Sequence, residues 1–282
     1  MESLLDILKK IILAILILVA ILVVVFVLII GYFSVSAPES AQSVYIYELT
    51  LSTTGPLENA TLLVPVPSNY NAESGKNETA INISRTSFTN FDRDTISAQI
   101  EEVNGVPMLK ISADRISPLY KNRITPIPIM PGQDESELPQ PTHIYSDRYS
   151  EETPELVEME IHMYDTSVDH EIDTKTPVGK EPLFMPYRIA ENISSPDSAM
   201  YGVYYVSAGS SGYVFETPFI LFYTADDENV LTISSEFHAI NQWWVGGWQS
   251  NSYWERMRHE FQGGCDGTYQ VTGILITGDG VY

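Results

Sequence analysis

All four tryptophans of the chain, Trp243, Trp244, Trp248 and Trp254, fall within twelve residues, together with Tyr253 and the pair Gly246-Gly247. Indole faces in a glycine-flexed loop would stack on sugar rings, while the amides of Asn241, Gln242, Gln249 and Asn251 would hydrogen-bond to hydroxyls. The carbohydrate-binding candidates are therefore Trp243, Trp244, Trp248, Asn251 and Trp254. The same residues also suit a satellite core in which large aromatics anchor a loop, the ordinary fate of a Trp cluster. An acidic stretch is the second concentration of functional side chains. Asp165, Asp169, Glu171 and Asp173, with His170 among them, would offer oxygen ligands to a hard cation such as Ca2+. The spacing and central glycine of an EF-hand loop are missing, so a solvated acidic loop is the favoured reading of them. His162 shares a strand face with Glu158 and Glu160 but has no second ligand at a recognisable spacing.

Enzyme motifs fail individually. His259-Glu260 begins like a zincin helix, but the second histidine would fall at Gly263. Gly209-Ser210-Ser211-Gly212 is one residue short of a nucleophile elbow. No P-loop, dinucleotide fingerprint or haem-attachment motif is present. Carboxylate pairs for hydrolysis stay open, because any two of 37 acids can meet in space. The leaning is therefore away from an enzyme, with an extracytoplasmic hydrolase using such carboxylates as an alternative.

Residues 11–33, IILAILILVAILVVVFVLIIGYF, carry no charge and are nearly all aliphatic. At about 1.5 Å per residue a helix of this length covers roughly 34 Å, enough for a hydrocarbon core of about 30 Å. The run is too long for a signal peptide, and a cut after Ala37 would leave Pro38 at its start. A lipid anchor needs a cysteine at the end of the run, and the only cysteine is Cys265. Lys10 occupies the position where a pilin leader would have a small residue. Lys9 and Lys10 precede the run, whereas residues 34–75 contain no Lys or Arg. The positive-inside rule then expects residues 1–10 in the cytoplasm and the rest outside, in a single-pass plasma-membrane arrangement.

The 282-residue chain carries 15 Lys and Arg against 37 Asp and Glu, a net charge of -22 that excludes nucleic acid as a partner. The bilayer, through residues 11–33, and envelope proteins or polysaccharide are the partners left. One cysteine permits no intrachain disulfide; Cys265 reads as a shielded thiol. Sequons begin at Asn59, Asn77, Asn82 and Asn192, all on the expected outer side, and are acceptors wherever the host glycosylates.

After a linker at 34–42, alternation over 44–51 and an apolar run over 60–66 predict strands. Pro65 and Pro67 place the second of these at an edge. Asn104-Gly105 between 96–103 and 106–113 is a type I′ hairpin signal. Six prolines within 118–141 make 118–150 a connector or an extended surface loop. Further strands are expected at 156–163, 202–207, 215–223, 230–240 and 269–277, with 226–229 a hairpin loop. Ser252-x-x-Glu255 followed by Trp254, Met257 and Phe261 predicts one short helix over 253–262, stopped by Gly263-Gly264. The expected fold is an all-β, antiparallel sandwich-like domain on one N-terminal transmembrane helix. It comprises β-rich lobes at 43–117 and 151–282, which could equally form one sandwich.

The segment Leu62-Leu63-Val64-Pro65-Val66-Pro67 and the tail Asn241, Trp244, Gly247, Trp248, Asn251, Tyr253, Gly278, Gly280 and Tyr282 resemble single-span surface proteins of methanogenic and halophilic archaea. The resemblance covers about a third of the chain and implies an archaeal envelope, a salt-adapted origin for the acidity, and no particular activity. The expected function is a membrane-anchored cell-surface structural, adhesion or interaction module, with carbohydrate binding through the tryptophan stretch as the alternative.

Overall fold

The computed structural model describes residues 4–125, 131, 142–186, 188–193 and 209–282. Among these residues there is one α-helix, α1 (Leu4–Ser40), which contains the whole apolar run, and every side chain from residue 9 to residue 32 is exposed. Beyond it the regular structure of the described residues is strands apart from one 3-10 turn at Ile83–Arg85: β1 (Gln42–Thr53), β2 (Leu57–Pro65), β3 (Pro67–Asn71), β4 (Lys76–Thr79), β5 (Ser87–Thr89), β6 (Ser97–Val103), β7 (Val106–Ile116), β8 (Tyr120–Lys121), β9 (Tyr145–Ser146) and β10 (Glu155–Leu156). There follow β11 (Met159–Val168), β12 (Leu183–Phe184), β13 (Arg188–Ile193), β14 (Ser211–Thr224), β15 (Val230–Trp244), β16 (Trp248–Gln262) and β17 (Cys265–Gly280).

Ten strands join antiparallel in the order β5-β11-β1-β15-β16-β17-β14-β2-β7-β6, and β13 adds to β14 as an eleventh. The stretches 43–117 and 151–282 thus share one sheet, since β1 lies between β11 and β15 and β2 lies between β14 and β7. The connections show that this sheet is curled. β1 and β2 have four strands between them, about 24 Å along a flat sheet, yet the three residues joining them reach at most about 15 Å. The ends are closed by Thr54 N–H to Val230 O at 3.0 Å and by Gly263 N–H to Asn229 O at 2.8 Å. A Cβ on Gly55 would lie 2.1 Å from the Asn229 amide oxygen, so any larger residue there would displace the Asn229 side chain. The inner face holds the core: Tyr45, Tyr47, Leu49 and Leu51 of β1, Leu231, Ile233 and Phe237 of β15, and Phe215, Phe219 and Leu221 of β14. The short strand β12 delivers Phe184 onto that face, where its ring centroid is 6.4–6.5 Å from Tyr47, Phe215 and Phe237.

Several sequence expectations meet the structure directly. Asn104 and Gly105 have φ of +52° and +81° and turn β6 into β7. Met159, Ile161 and Met163 are buried on alternate positions of β11. Cys265 is a buried free thiol.

Three expectations are corrected. Residues 253–262 form no helix; they lie within β16, paired with β15 and β17. Tyr253, Glu255, Met257 and Phe261 all point inward at period two, and the helical spacing of Trp254, Met257 and Phe261 mixes both faces. What disguised the strand is Glu255, an acid at an inward position. The 226–229 segment is no hairpin loop either, because β14 pairs with β17 and not with β15, giving a Greek-key order β15-β16-β17-β14. Nor is β2 an edge strand. Its pairing with β14 stops at Leu63, and β13 pairs with β14 only up to Glu216, so Pro65 and Pro218 occupy the gap where the two partners change over. The 202–207 strand and much of 118–150 lie outside the described residues; β8 and β9 within that stretch pair with β10 just after it in a small sheet of their own.

Candidate functional site

β15 and β16 form a long hairpin whose tip, Val245 to Gly247, closes with Val245 N–H donating to Gly247 O at 2.9 Å. Residues opposite each other in register share a face, and successive residues alternate. Asn241 pairs with Asn251, Trp244 with Trp248 and His238 with Trp254. Trp244, Trp248 and Trp254 therefore lie on the outer face, and Trp243 and Asn251 on the inner one. The five residues expected to form one sugar platform are divided between two sides of the sheet.

On the outer face Trp244 and Trp248 meet edge to face, with centroids 5.9 Å apart and planes at 78°. They are 36% and 59% exposed. Trp254, half-buried, stacks on the His238 imidazole with centroids 6.1 Å apart. The backbone N–H of Trp244 donates to Ser40 Oγ at 2.8 Å, so the hairpin tip is fastened to the last turn of α1.

On the inner face the amides are consumed by the fold. Asn241 Nδ2 donates to Ile172 O at 2.8 Å and to Asn251 Oδ1 at 3.0 Å. Asn241 Oδ1 accepts from Ile172 N–H at 3.0 Å and Ser43 Oγ at 2.7 Å. Asn251 Oδ1 also accepts from Thr174 Oγ1 at 2.9 Å, and its Nδ2 donates to Val281 O at 3.0 Å. Between this network and α1 lies a cavity of about 620 Å³, lined by Pro38, Gln42, Asp169, His170, Trp243 and Tyr282 among others. Its His170 is held by Glu181 at 3.1 Å. Partial burial lowers the imidazole pKa, but the hydrogen bond and charge of Glu181 outweigh that and raise it.

Four residues beyond Asn251, Glu255 is fully buried. Its Oε2 accepts from Phe184 N–H at 2.8 Å, whereas its Oε1 has no hydrogen-bond partner among the described residues. Burial pushes its pKa up to about 8, against the smaller lowering effect of the Phe184 bond. This carboxyl was missed as a site of interest from sequence, where it served only as the acid of a capping box.

The acidic candidates do not converge. Asp165 accepts from Ser167 Oγ at 2.6 Å and pairs with Arg85 at 3.2 Å, and these contacts hold its pKa down, the Ser167 bond most. Asp173 is bound by Lys180 and by Thr176, which bring its pKa to about 2. Asp169 and Glu171 are exposed. Among the described residues no group of three or more His, Cys, Asp or Glu side chains could hold a metal ion. Of the sequons, Asn59, Asn82 and Asn192 are exposed, while Asn77 is half-buried and donates to Gly105 O at 2.8 Å. No family model, curated protein or solved structure matches the chain.

Proposed function

We propose that this chain is a single-pass membrane protein whose α1 crosses the bilayer and carries an external β domain as a structural, adhesion or interaction module of the cell surface. The observation supporting this is the environment of α1. From Ile11 to Tyr32 the helix is apolar on all sides, and none of its most apolar window is buried against the domain. A core helix would be covered by protein, and an apolar helix covered by nothing needs lipid as its solvent. Lys9 and Lys10 before the span, against none between 34 and 75, orient the amino end toward the cytoplasm. The domain then carries the charge of -22 outward, which disfavours anionic partners.

The test is alkaline carbonate extraction of membranes carrying the full chain, followed by protease treatment of intact cells. Retention in the membrane with digestion of the β domain is expected; release by carbonate would remove the anchor reading, and protection of the domain would reverse the orientation. Carbohydrate recognition is the second reading, favoured by the exposure of Trp244 and Trp248, though without the amides of Asn241 and Asn251, whose polar atoms are engaged within the fold.

A further inference from the structure

The tip of the β15–β16 hairpin is an uncharged, aromatic part of the domain surface beside α1. Residues 242–250, QWWVGGWQS, carry no charge in a chain of net charge -22. Trp244, Val245 and Trp248 are 36%, 40% and 59% exposed there. The other end of β15 is the opposite in character, since it follows Asp226, Asp227 and Glu228. A strand of 15 residues, about 50 Å long, thus runs from an acidic end to an aromatic one.

Position decides what the aromatic end faces. α1 packs on β15, and the Trp244 N–H bond to Ser40 holds the tip beside the helix. Ser40 lies seven residues past Phe33, about 10 Å beyond the apolar edge at 1.5 Å per residue. Gln242 pairs with Gln42, the first residue of β1, so Trp244 to Gly246 overhang the domain by two to four residues. At about 3.3 Å each this is roughly 7–13 Å past Gln42, and because Trp244 stands level with Ser40, Val245 and Gly246 reach about 3–7 Å further back along α1, to within about 4–7 Å of the apolar edge. A headgroup layer of about 5–8 Å on each side of the hydrocarbon lies within that reach.

From this geometry we propose that the hairpin tip is a second membrane contact, with Trp244, Val245 and Trp248 seated in the headgroup region of the bilayer that α1 crosses. The indole ring suits this layer, with an apolar body toward the acyl chains and an N–H toward water. Glu39, Asp169 and Glu171 lie at the domain base and repel anionic lipid, so the lipid favoured is zwitterionic. Seating the tip would fix the domain's orientation on the membrane, with the Asp226–Glu228 end pointing away. The inference rests on the reading of α1 as a membrane span.

The experiment places the full chain in phosphatidylcholine vesicles brominated at shallow or deep acyl positions and reads tryptophan emission, with flotation run in parallel. Shallow bromines are expected to remove about a third or more of the emission and deep bromines less, because two of the four indoles occupy the interface. The double variant Trp244→Phe/Trp248→Phe should lose that quenching while Trp243 and Trp254 keep their emission wavelength, which reports an intact fold. Co-flotation with no quenching by either lipid, or acrylamide quenching of Trp244 and Trp248 undiminished by vesicles, would overturn the hairpin contact and leave the anchor standing. Failure to float would remove both.

Discussion

Two of the buried polar positions on the inner face of the β15–β16 hairpin, the Asn241–Asn251 pair and Glu255, are built in opposite ways. At the helix-proximal end Asn241 and Asn251 engage every polar atom of their side chains, tying the 172–174 segment and the C-terminal residues to the sheet. About 13 Å along the strand, Glu255 has one oxygen paired and one bare. A closed network repays its desolvation with hydrogen bonds, whereas a half-paired carboxyl meets the same cost by keeping its proton. The first position specifies where loops dock. The second makes the core sensitive to pH.

That contrast can be broken most strongly at the network. Asn251→Leu would take one partner each from the Asn241 amide, the Thr174 hydroxyl and the Val281 carbonyl, leaving Asn241 its bond to Ile172 and Thr174 its bond to Tyr282, and should cost about 2–3 kcal/mol, read as a lowered urea midpoint of the full chain in nanodiscs. An unchanged midpoint would mean that water replaces the amide freely.

The next largest effect concerns Glu255. Its folded pKa of about 8 exceeds the ordinary 4.5, so between these values the folded chain binds a proton that the unfolded chain does not. The stabilisation is fully present below about pH 4.5 and is lost as pH rises through about 8, at up to about 1.4 kcal/mol per pH unit. Glu255→Gln keeps the shape without the proton and should flatten the fall in urea midpoint between pH 6 and pH 9. The same fall in the variant would assign it to other groups. Smaller still is Trp248→Ala, which removes a side chain 59% exposed and should change stability by about 0.5 kcal/mol or less. Smallest is Arg85→Ala, whose exposed pair with Asp165 should contribute well under about 1 kcal/mol and vanish in high salt.

Much of this protein was legible in its sequence because the signals were local. The apolar run of α1, the alternation of β1 and β11 and the Asn104-Gly105 turn each depend on residues close in the chain, and each lies where its pattern places it. Partner choice was not local. Nothing within 226–229 reveals that β14 pairs with β17, and the prolines at 65 and 218 only make sense once β13 and β2 are seen to share one side of β14 in succession. The tryptophan cluster was visible as a cluster, yet its division between two faces follows from reading 248–262 as a strand, which a single inward Glu255 concealed. The sequence by itself determined the apolar helix, the β character and the net negative charge, since periodicity and composition carry those. Only the tertiary structure decided that the aromatic tip sits beside the end of α1 and that Glu255 is buried, because both depend on strands brought together by the curl of the sheet.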